Sequence, residues 1–328
     1  MFACLAPDTP ADWGKEALAM IRRNYYLPKA KLYSERPYRK QPAFNWGVGV
    51  MLSALNAAAR VDKKYIPWLR EYADASRVYW NKGGYDVLPA PKPLDRYYDD
   101  NAWMALALLE TYGILKDEKY LKWARGALDF ALSGKSSDAG GIYWREQEKS
   151  TMNTCSNAPT ALACRLFARD SLDEVLNLRG EDLYEWTFQN LCDREGDWLY
   201  WDSLSTNGER DKTRWSYNTA LMIRTSKYLN TNPTPTFDNS LKKWLVNGKL
   251  CDPGRFAHLL LEAWVDVKGY QEVYLRPLEA VRSARSPKGY YPAHWSELKV
   301  ASNPELLDQA AFARACFVLA AGQKVAKQ

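Results

Sequence analysis

The chain has 328 residues, 47% of them apolar and 26% charged, the balance of a globular protein with material for a large core. Its net charge is +6, but Lys and Arg are interleaved with Asp and Glu, so no basic track for nucleic acid stands out. No run approaches the ~20 apolar residues of a membrane span, and His258 and His294 alone cannot build a histidine metal centre.

Residues 1–17 lack the basic start and apolar stretch of a signal peptide. They fit either a cytoplasmic protein or one whose export signal has been removed. Helical periodicity then dominates. Twelve segments are predicted, at 12–25, 46–60, 65–80, 98–114, 118–132, 156–169, 172–191, 216–230, 237–247, 255–267, 270–285 and 304–321. Asp12, Asn157 and Asn303 are the expected caps, the last two ahead of prolines. Breakers such as Gly83-Gly84, Gly140-Gly141 and Pro253-Gly254 separate the segments.

The even-numbered segments are small and apolar on most faces, as in NAWMALALLETYG, and read as buried. The odd-numbered ones, as in EKYLKWARGALDFAL, carry charge on one face. Six inner and six outer helices in alternation predict an all-α (α/α)6 barrel, one domain over 1–328. The inner helices then run parallel and their N-termini share one mouth. Phe44, Asn45 and Trp46, Tyr97 to Asp100, Ser156 and Asn157, Trp215, Tyr217 and Asn218, and Asp308 and Gln309 all fall at those starts.

Two histidines and six cysteines without a CxxC pair leave acid–base chemistry to carboxylates; no disulfide framework, metal or cofactor is implied. The histidines read as structural. The pair Asp99-Asp100 opens a buried helix. Alone, it suggests only a cap and a complement to the helix dipole. Its neighbours Tyr97, Tyr98, Asn101 and Trp103 do not suit a plain solvated turn. Paired carboxylates serve glycoside hydrolysis, where one attacks the anomeric carbon and the other protonates the leaving oxygen. Retaining enzymes hold them ~5–5.5 Å apart and inverting ones ~6.5–9.5 Å, and adjacent residues favour the shorter spacing. The 14 Trp and 21 Tyr suit both a core and a sugar site.

The string YYDDNAWMALALLETY resembles the signature of glycoside hydrolase family 76, the bacterial and fungal α-1,6-mannanases and their relatives. AGGIYWREQ (139–147), SNAPTALACRLF (156–167), WSYNTALMI (215–223), FNWGVGVMLSAL (44–55) and LDQAAFARACFVLA (307–320) resemble further family segments. The resemblance implies an (α/α)6 barrel and a retaining, endo-acting α-1,6-mannan hydrolase, with Asp99 as nucleophile and Asp100 as acid/base. It implies a mannose-containing glycan as partner, an extracytoplasmic location and no cofactor; no nucleic acid or membrane span is expected, and a monomer is. Asn45, Trp46, Tyr97, Tyr98, Tyr143, Trp144, Asn157, Trp198, Asp202, Tyr217 and Asn218 are the candidate substrate contacts. Thr219-Ala220 stands where the family often has Gln-Gly, which removes a possible sugar ligand. Other readings are a hydrolase of a different glycan and a non-catalytic glycan binder. A magnesium-binding DDxxD helix is disfavoured, because Trp103 and Met104 follow DDNA.

Overall fold

The computed structural model describes residues 8–90, 92–229, 231–265 and 271–325. Among them are the inner helices α2 (Asn45–Val61), α4 (Tyr98–Leu115), α6 (Thr154–Ser171), α8 (Ser216–Tyr228), α10 (Gly254–Val265) and α12 (Leu306–Val325). Each packs on the next, and α12 packs on α2, which closes the ring. The outer helices are α1 (Pro10–Tyr25), α3 (Ile66–Ser76), α5 (Glu118–Ser133), α7 (Glu174–Leu191), α9 (Thr234–Trp244) and α11 (Gln271–Ser283). This is the expected (α/α)6 barrel. The predicted ends at 230, 266–267 and 270, and Cys4, lie outside the described residues.

The alternation has a packing cause. Helix α4 buries Tyr98, Asn101 to Leu109 and Thr111 around most of its circumference. Helix α5 buries only Tyr120, Ala124, Ala127, Leu128, Phe130 and Ala131, one stripe at helical spacing. Short hairpins interrupt the helices: β1 (Tyr26–Leu27) with β2 (Leu32–Tyr33), β3 (Trp80–Asn81) with β4 (Gly84–Tyr85), and β8 (Leu245–Val246) with β9 (Lys249–Leu250). The last turns through Asn247-Gly248, both at positive φ, the chemistry of a two-residue hairpin. A three-stranded sheet of β5 (Thr151–Asn153), β6 (Ser203–Ser205) and β7 (Arg210–Asp211) sits before α6 and α8.

The three expected caps are corrected. Thr9 caps α1, with Pro10 in the first turn; Asp12 falls third and answers Thr9 in a capping box. Helix α6 starts at Thr154, because Thr154 N–H donates to the Asp202 carbonyl at 2.8 Å and its hydroxyl to the Trp201 carbonyl at 2.6 Å. Asn153 is then the cap residue, and Pro159 lies inside the helix. Helix α12 starts at Leu306, since the Pro304 carbonyl accepts from the Tyr25 hydroxyl and Leu306 N–H donates to the Glu35 carbonyl. The predicted 65–80 segment ends as a helix at Ser76 and passes through a 3-10 turn into β3.

One device recurs at the helix starts. The fourth residue of α4, Asn101, grips both polar backbone groups of Tyr85, accepting at 2.7 Å and donating at 2.9 Å. The fourth residue of α6, Asn157, grips Ile142 in the same way, at 2.8 and 3.2 Å. The fourth residue of α12, Gln309, grips Tyr291 at 2.8 and 3.1 Å. In α8 the fourth residue is Thr219, whose hydroxyl accepts from Tyr200 N–H at 3.3 Å. Each gripping side chain is fully buried. Each clamp bonds backbone groups of a neighbouring loop or hairpin, so that segment is held in place beside the helix start.

The opposite end of the barrel is closed by charge. Arg314 of α12 donates to Glu110 of α4 through both terminal nitrogens at 2.8 Å, and to Glu262 of α10 at 2.6 Å. It also reaches the Ser53 carbonyl of α2 at 2.8 Å, and Arg224 of α8 pairs with Glu262 at 3.1 Å. Five inner helices are thus tied together below the mouth.

Replacing Asn157 by Ala strands the N–H and C=O of Ile142 in a dry environment. Each such group costs on the order of 1–3 kcal/mol, so the variant should lose roughly 2–4 kcal/mol in chemical denaturation. An unchanged denaturation midpoint would show that the clamp carries no stability.

Candidate active site

Helix register sets what the second and third residues of the inner helices do. They ring the mouth, as Trp46 and Gly47 of α2, Asp99 and Asp100 of α4, Cys155 and Ser156 of α6, Tyr217 and Asn218 of α8, Arg255 and Phe256 of α10, and Leu307 and Asp308 of α12. The acids therefore belong to a ring of six equivalent positions, and α4 alone carries two adjacent carboxylates there.

Asp99 is held from several sides. Its Oδ1 accepts from Asp100 N–H at 2.9 Å and its Oδ2 from Trp144 Nε1–H at 3.1 Å. Burial pushes its pKa up to about 6, against the downward pull of these donors. Asp100 is pushed well above the usual carboxylate range by burial, by the charge of Asp99 and by that of Asp95. The helix N-terminus favours both negative charges, but burial outweighs it. The pair is therefore split, with the more readily ionised carboxyl on Asp99 and the proton on Asp100.

The loop bearing Trp144 is fixed by ion pairs. Arg96, buried, binds Glu146 through two nitrogens at 2.7 and 2.6 Å and reaches the Asn81 and Lys82 carbonyls at 2.8 Å. Arg145 pairs with Asp95 at 2.9 Å. The Trp144 carbonyl accepts from Tyr98 N–H at the start of α4, at 2.9 Å. Trp144 is 41% exposed and meets Tyr97 edge to face at 5.1 Å. The Gly-Gly ahead of it is a turn: Gly140 has φ +81°, and a Cβ on Gly141 would meet the Trp186 ring at 2.4 Å.

On the other side of the acids, Tyr217 and Cys155 hold the second places of α8 and α6. The Tyr217 ring stacks on Phe256 at 4.7 Å, and Phe256 stacks on Trp46 at 5.6 Å and lies 5.0 Å from Trp215. Beyond Trp46 a cavity of about 700 Å³ is lined by Phe44, Arg36, Arg255 and Glu305 among others. A third carboxyl, Asp202, stands beside the thiol. It accepts from Asn153 at 3.2 Å and from Asn218 at 3.5 Å, and burial pushes it up to about 6.

The structure thus brings Trp46, Tyr97, Trp144, Asp202, Tyr217 and Asn218 into one contact network around Asp99. Asn45 opens α2 beside Trp46, buried, with neither amide atom partnered among the described residues. It does not bring four others to the cleft. Tyr98 is buried and stacks on Phe130 at 5.2 Å. Tyr143 packs with that same cluster, its hydroxyl 3.3 Å from Ser136. The amide of Asn157 is engaged with the loop backbone. Trp198 lines a separate cavity of about 160 Å³ with Tyr184, Phe188 and Thr236. Adjacent helical residues diverge by ~100° and strand residues alternate, so neighbours of site residues face away from the site. Sequence reading missed Cys155 and Phe256, whose signal is their place second and third in an inner helix. His258 is buried, bonded to the Gly254 carbonyl at 3.0 Å and held neutral by a pKa near about 4. His294 contacts Ser296. The five described cysteines are free, and among the described residues no group of three His, Cys, Asp or Glu is placed to hold a metal.

The model of glycosyl hydrolase family 76 matches residues 15–246. The chain belongs to that family. It is similar in structure to a family 76 α-mannanase of Bacteroides thetaiotaomicron, at 28% identity and TM-score 0.90, over 99% of both chains. A family 76 mannosidase of the same organism matches at 17% identity and TM-score 0.86, over 97% of this chain and 100% of that one. An inactive variant of a Salegentibacter α-1,6-mannanase bound to α-1,6-mannotriose matches at 18% and TM-score 0.80, over 95% and 99%. A comparison with curated proteins finds no match. As a family 76 member, the chain is a glycoside hydrolase, and no helix among its described residues is long and apolar enough to cross a membrane.

A raised carboxyl pKa has a stability consequence. Asp100 binds its proton more tightly folded than unfolded, so its contribution favours the fold at low pH and is lost as pH rises through the raised value. Asp100→Asn removes that burden. Its Tm should match wild type near pH 4 and exceed it by about 2 °C or more once the wild-type carboxyl ionises. A Tm difference that does not grow with pH would contradict the raised value.

Proposed function

We propose that the protein cleaves α-mannan at α-1,6-mannosidic linkages, within the chain, by a retaining double displacement. The observation that carries this reading is the split carboxyl pair: Asp99 held by donors that favour its charge, Asp100 held protonated beside it. Asp99 attacks the anomeric carbon as the glycosidic C–O bond breaks, and the leaving oxygen takes the proton of Asp100. Asp100, now a base, takes a proton from water. That water attacks the same carbon and releases Asp99. Two displacements on one carbon restore its configuration.

The α-mannanase likeness supports the substrate class. The Salegentibacter protein, inactive with two adjacent aspartates replaced, carries α-1,6-mannotriose, in keeping with an adjacent pair such as Asp99-Asp100. Room for a polymer supports internal cleavage: the aromatic row runs from Tyr217 through Phe256 to Trp46 and on to the cavity beyond. Pyranose C–H faces pack on such rings. Polar atoms of Asn45, Ser156, Ser216 and Asn218 are buried without partners among the described residues, in keeping with a hydroxyl-rich ligand. The closed ring supports reading the chain as one catalytic domain acting as a monomer.

The departure at Thr219-Ala220 fits this reading. Thr219 occupies the clamp position and binds Tyr200, away from the sugar path. A Gln there belongs with Asn101, Asn157 and Gln309 as a loop anchor, so its replacement leaves the substrate groups in place.

Linear α-1,6-mannan should be cut to oligosaccharides of mixed length. Asp99→Asn should abolish turnover on every substrate. Asp100→Asn should lose about 10²–10⁴-fold on mannan and be partly spared on an activated aryl mannoside. Full activity on mannan in either variant would refute the assignment, and release of mannose alone would refute internal cleavage.

A further inference from the structure

We infer that the cavity beyond Trp46 is a distal subsite for a phosphate-type anionic substituent carried by the mannan chain, with Arg39 and Lys40 as its binding cations, a step that rests on reading the mouth as a mannan cleft.

The cavity, of about 700 Å³, continues the aromatic row. Trp46 lines it while stacked on Phe256, and Phe44, 47% exposed, offers it a second ring. Four basic side chains also line it: Arg36, Arg39 and Lys40 from one loop, and Arg255 from α10. Its acids are Glu35 and Glu305. The ion pairs leave two of the cations over. Glu305 is shared by Arg36 at 2.6 Å and Arg255 at 2.5 Å, and Arg255 also binds Asp308 at 2.7 Å. Glu35 accepts from Phe44 N–H at 2.9 Å, and burial pushes its carboxyl above the usual range. Among the described residues nothing pairs with the Arg39 guanidinium or the Lys40 ammonium, and both are exposed.

The loop that carries them is ordered in advance. Ser34 pairs with Pro42 across its base, and Glu35 N–H donates to the Gln41 carbonyl at 3.2 Å. Tyr38, beside Arg39, holds a left-handed conformation at φ +59°. It is pinned to Asn24 twice, by its N–H to the carbonyl at 2.8 Å and by its hydroxyl to the side chain at 3.0 Å. A loop fixed in this way has less freedom to lose when a ligand binds. The start of α2 adds to the attraction. Trp46 and Gly47 of its first turn line the same cavity, and that turn has neither an acidic residue nor a side-chain cap. The positive end of the helix therefore acts with the two cations. A guanidinium, an ammonium and a helix N-terminus are all donors. Together they suit a group with several acceptor oxygens and a full negative charge, which the hydroxyls of a neutral mannose do not supply.

The test uses α-1,6-mannooligosaccharides bearing phosphomonoesters and the same pool after phosphatase treatment. Calorimetry on the Asp99→Asn protein measures binding without cleavage. The phosphorylated pool should bind roughly fivefold more tightly at low salt, and the preference should shrink in about 0.5 M salt, where exposed charges are screened. With Arg39→Glu and Lys40→Glu added, the preference should vanish; with Arg39→Gln and Lys40→Gln, the two pools should bind about equally. No binding, equal binding of the two pools, or a preference that survives both pairs of substitutions overturns the subsite. Inorganic phosphate that binds as tightly as the phosphorylated pool overturns it too, since the glycan would then contribute nothing. Wild-type turnover separates this subsite from the proposed reaction. Cleavage of neither pool, with the binding preference intact, counts against mannan cleavage alone. Cleavage of both pools with no preference in binding counts against the subsite alone.

Discussion

The grip of a first-turn side chain on a neighbouring loop's backbone is the contact on which the mouth of this barrel depends. Asn101, Asn157 and Gln309 each hold the N–H and C=O of one residue in a neighbouring loop or hairpin. In α4, α6 and α12 the gripping residue is fourth, so helix geometry aims the second and third residues at the mouth. The catalytic pair on α4 and the Cys155 thiol on α6 inherit their direction from that register, whereas Trp46 and Phe256 are placed by their ring stacking. The charged plug of Arg314, Glu110 and Glu262 does the complementary task at the other end, and leaves the polar groups of the mouth to function.

Burial gives the acids their division of labour and works against the fold. Two half-buried carboxyls on one helix turn, with Asp95 acting on Asp100, resist ionisation. The donors on Asp99 bias the charge to one member. An isolated pair in water would have two nearly equal acids and no assigned roles. The surrounding rigidity, from the Arg96–Glu146 pair to the stacked rings, keeps this unfavourable arrangement in place.

The barrel is legible in the sequence because inner and outer helices face different solvents. NAWMALALLETYG is apolar on nearly every face, whereas EKYLKWARGALDFAL is apolar on one, and that contrast survives any error in helix ends. The acids are legible from the DDNAW string and its resemblance. The rest of the mouth needs the first residue of each helix, since a shift of one residue turns a side chain by ~100°. With α6 expected from 156 instead of Thr154, Asn157 reads as a mouth residue and Cys155 as a bystander. The structure reverses both. Tyr98 and Tyr143 are misread for the same reason, as neighbours in sequence that point to the core. Phe256 is hidden in an apolar run, and in the structure its three aromatic neighbours mark it.

The central claim is that Asp99 forms a covalent bond to the sugar while Asp100 handles the proton. The anomeric configuration of the first product tests it most directly. Proton NMR during the first minutes of mannan hydrolysis, before mutarotation, should show the new reducing end as the α-anomer, the configuration of the bond cleaved. A β-anomer as the first product would mean direct attack by water, and would contradict the account.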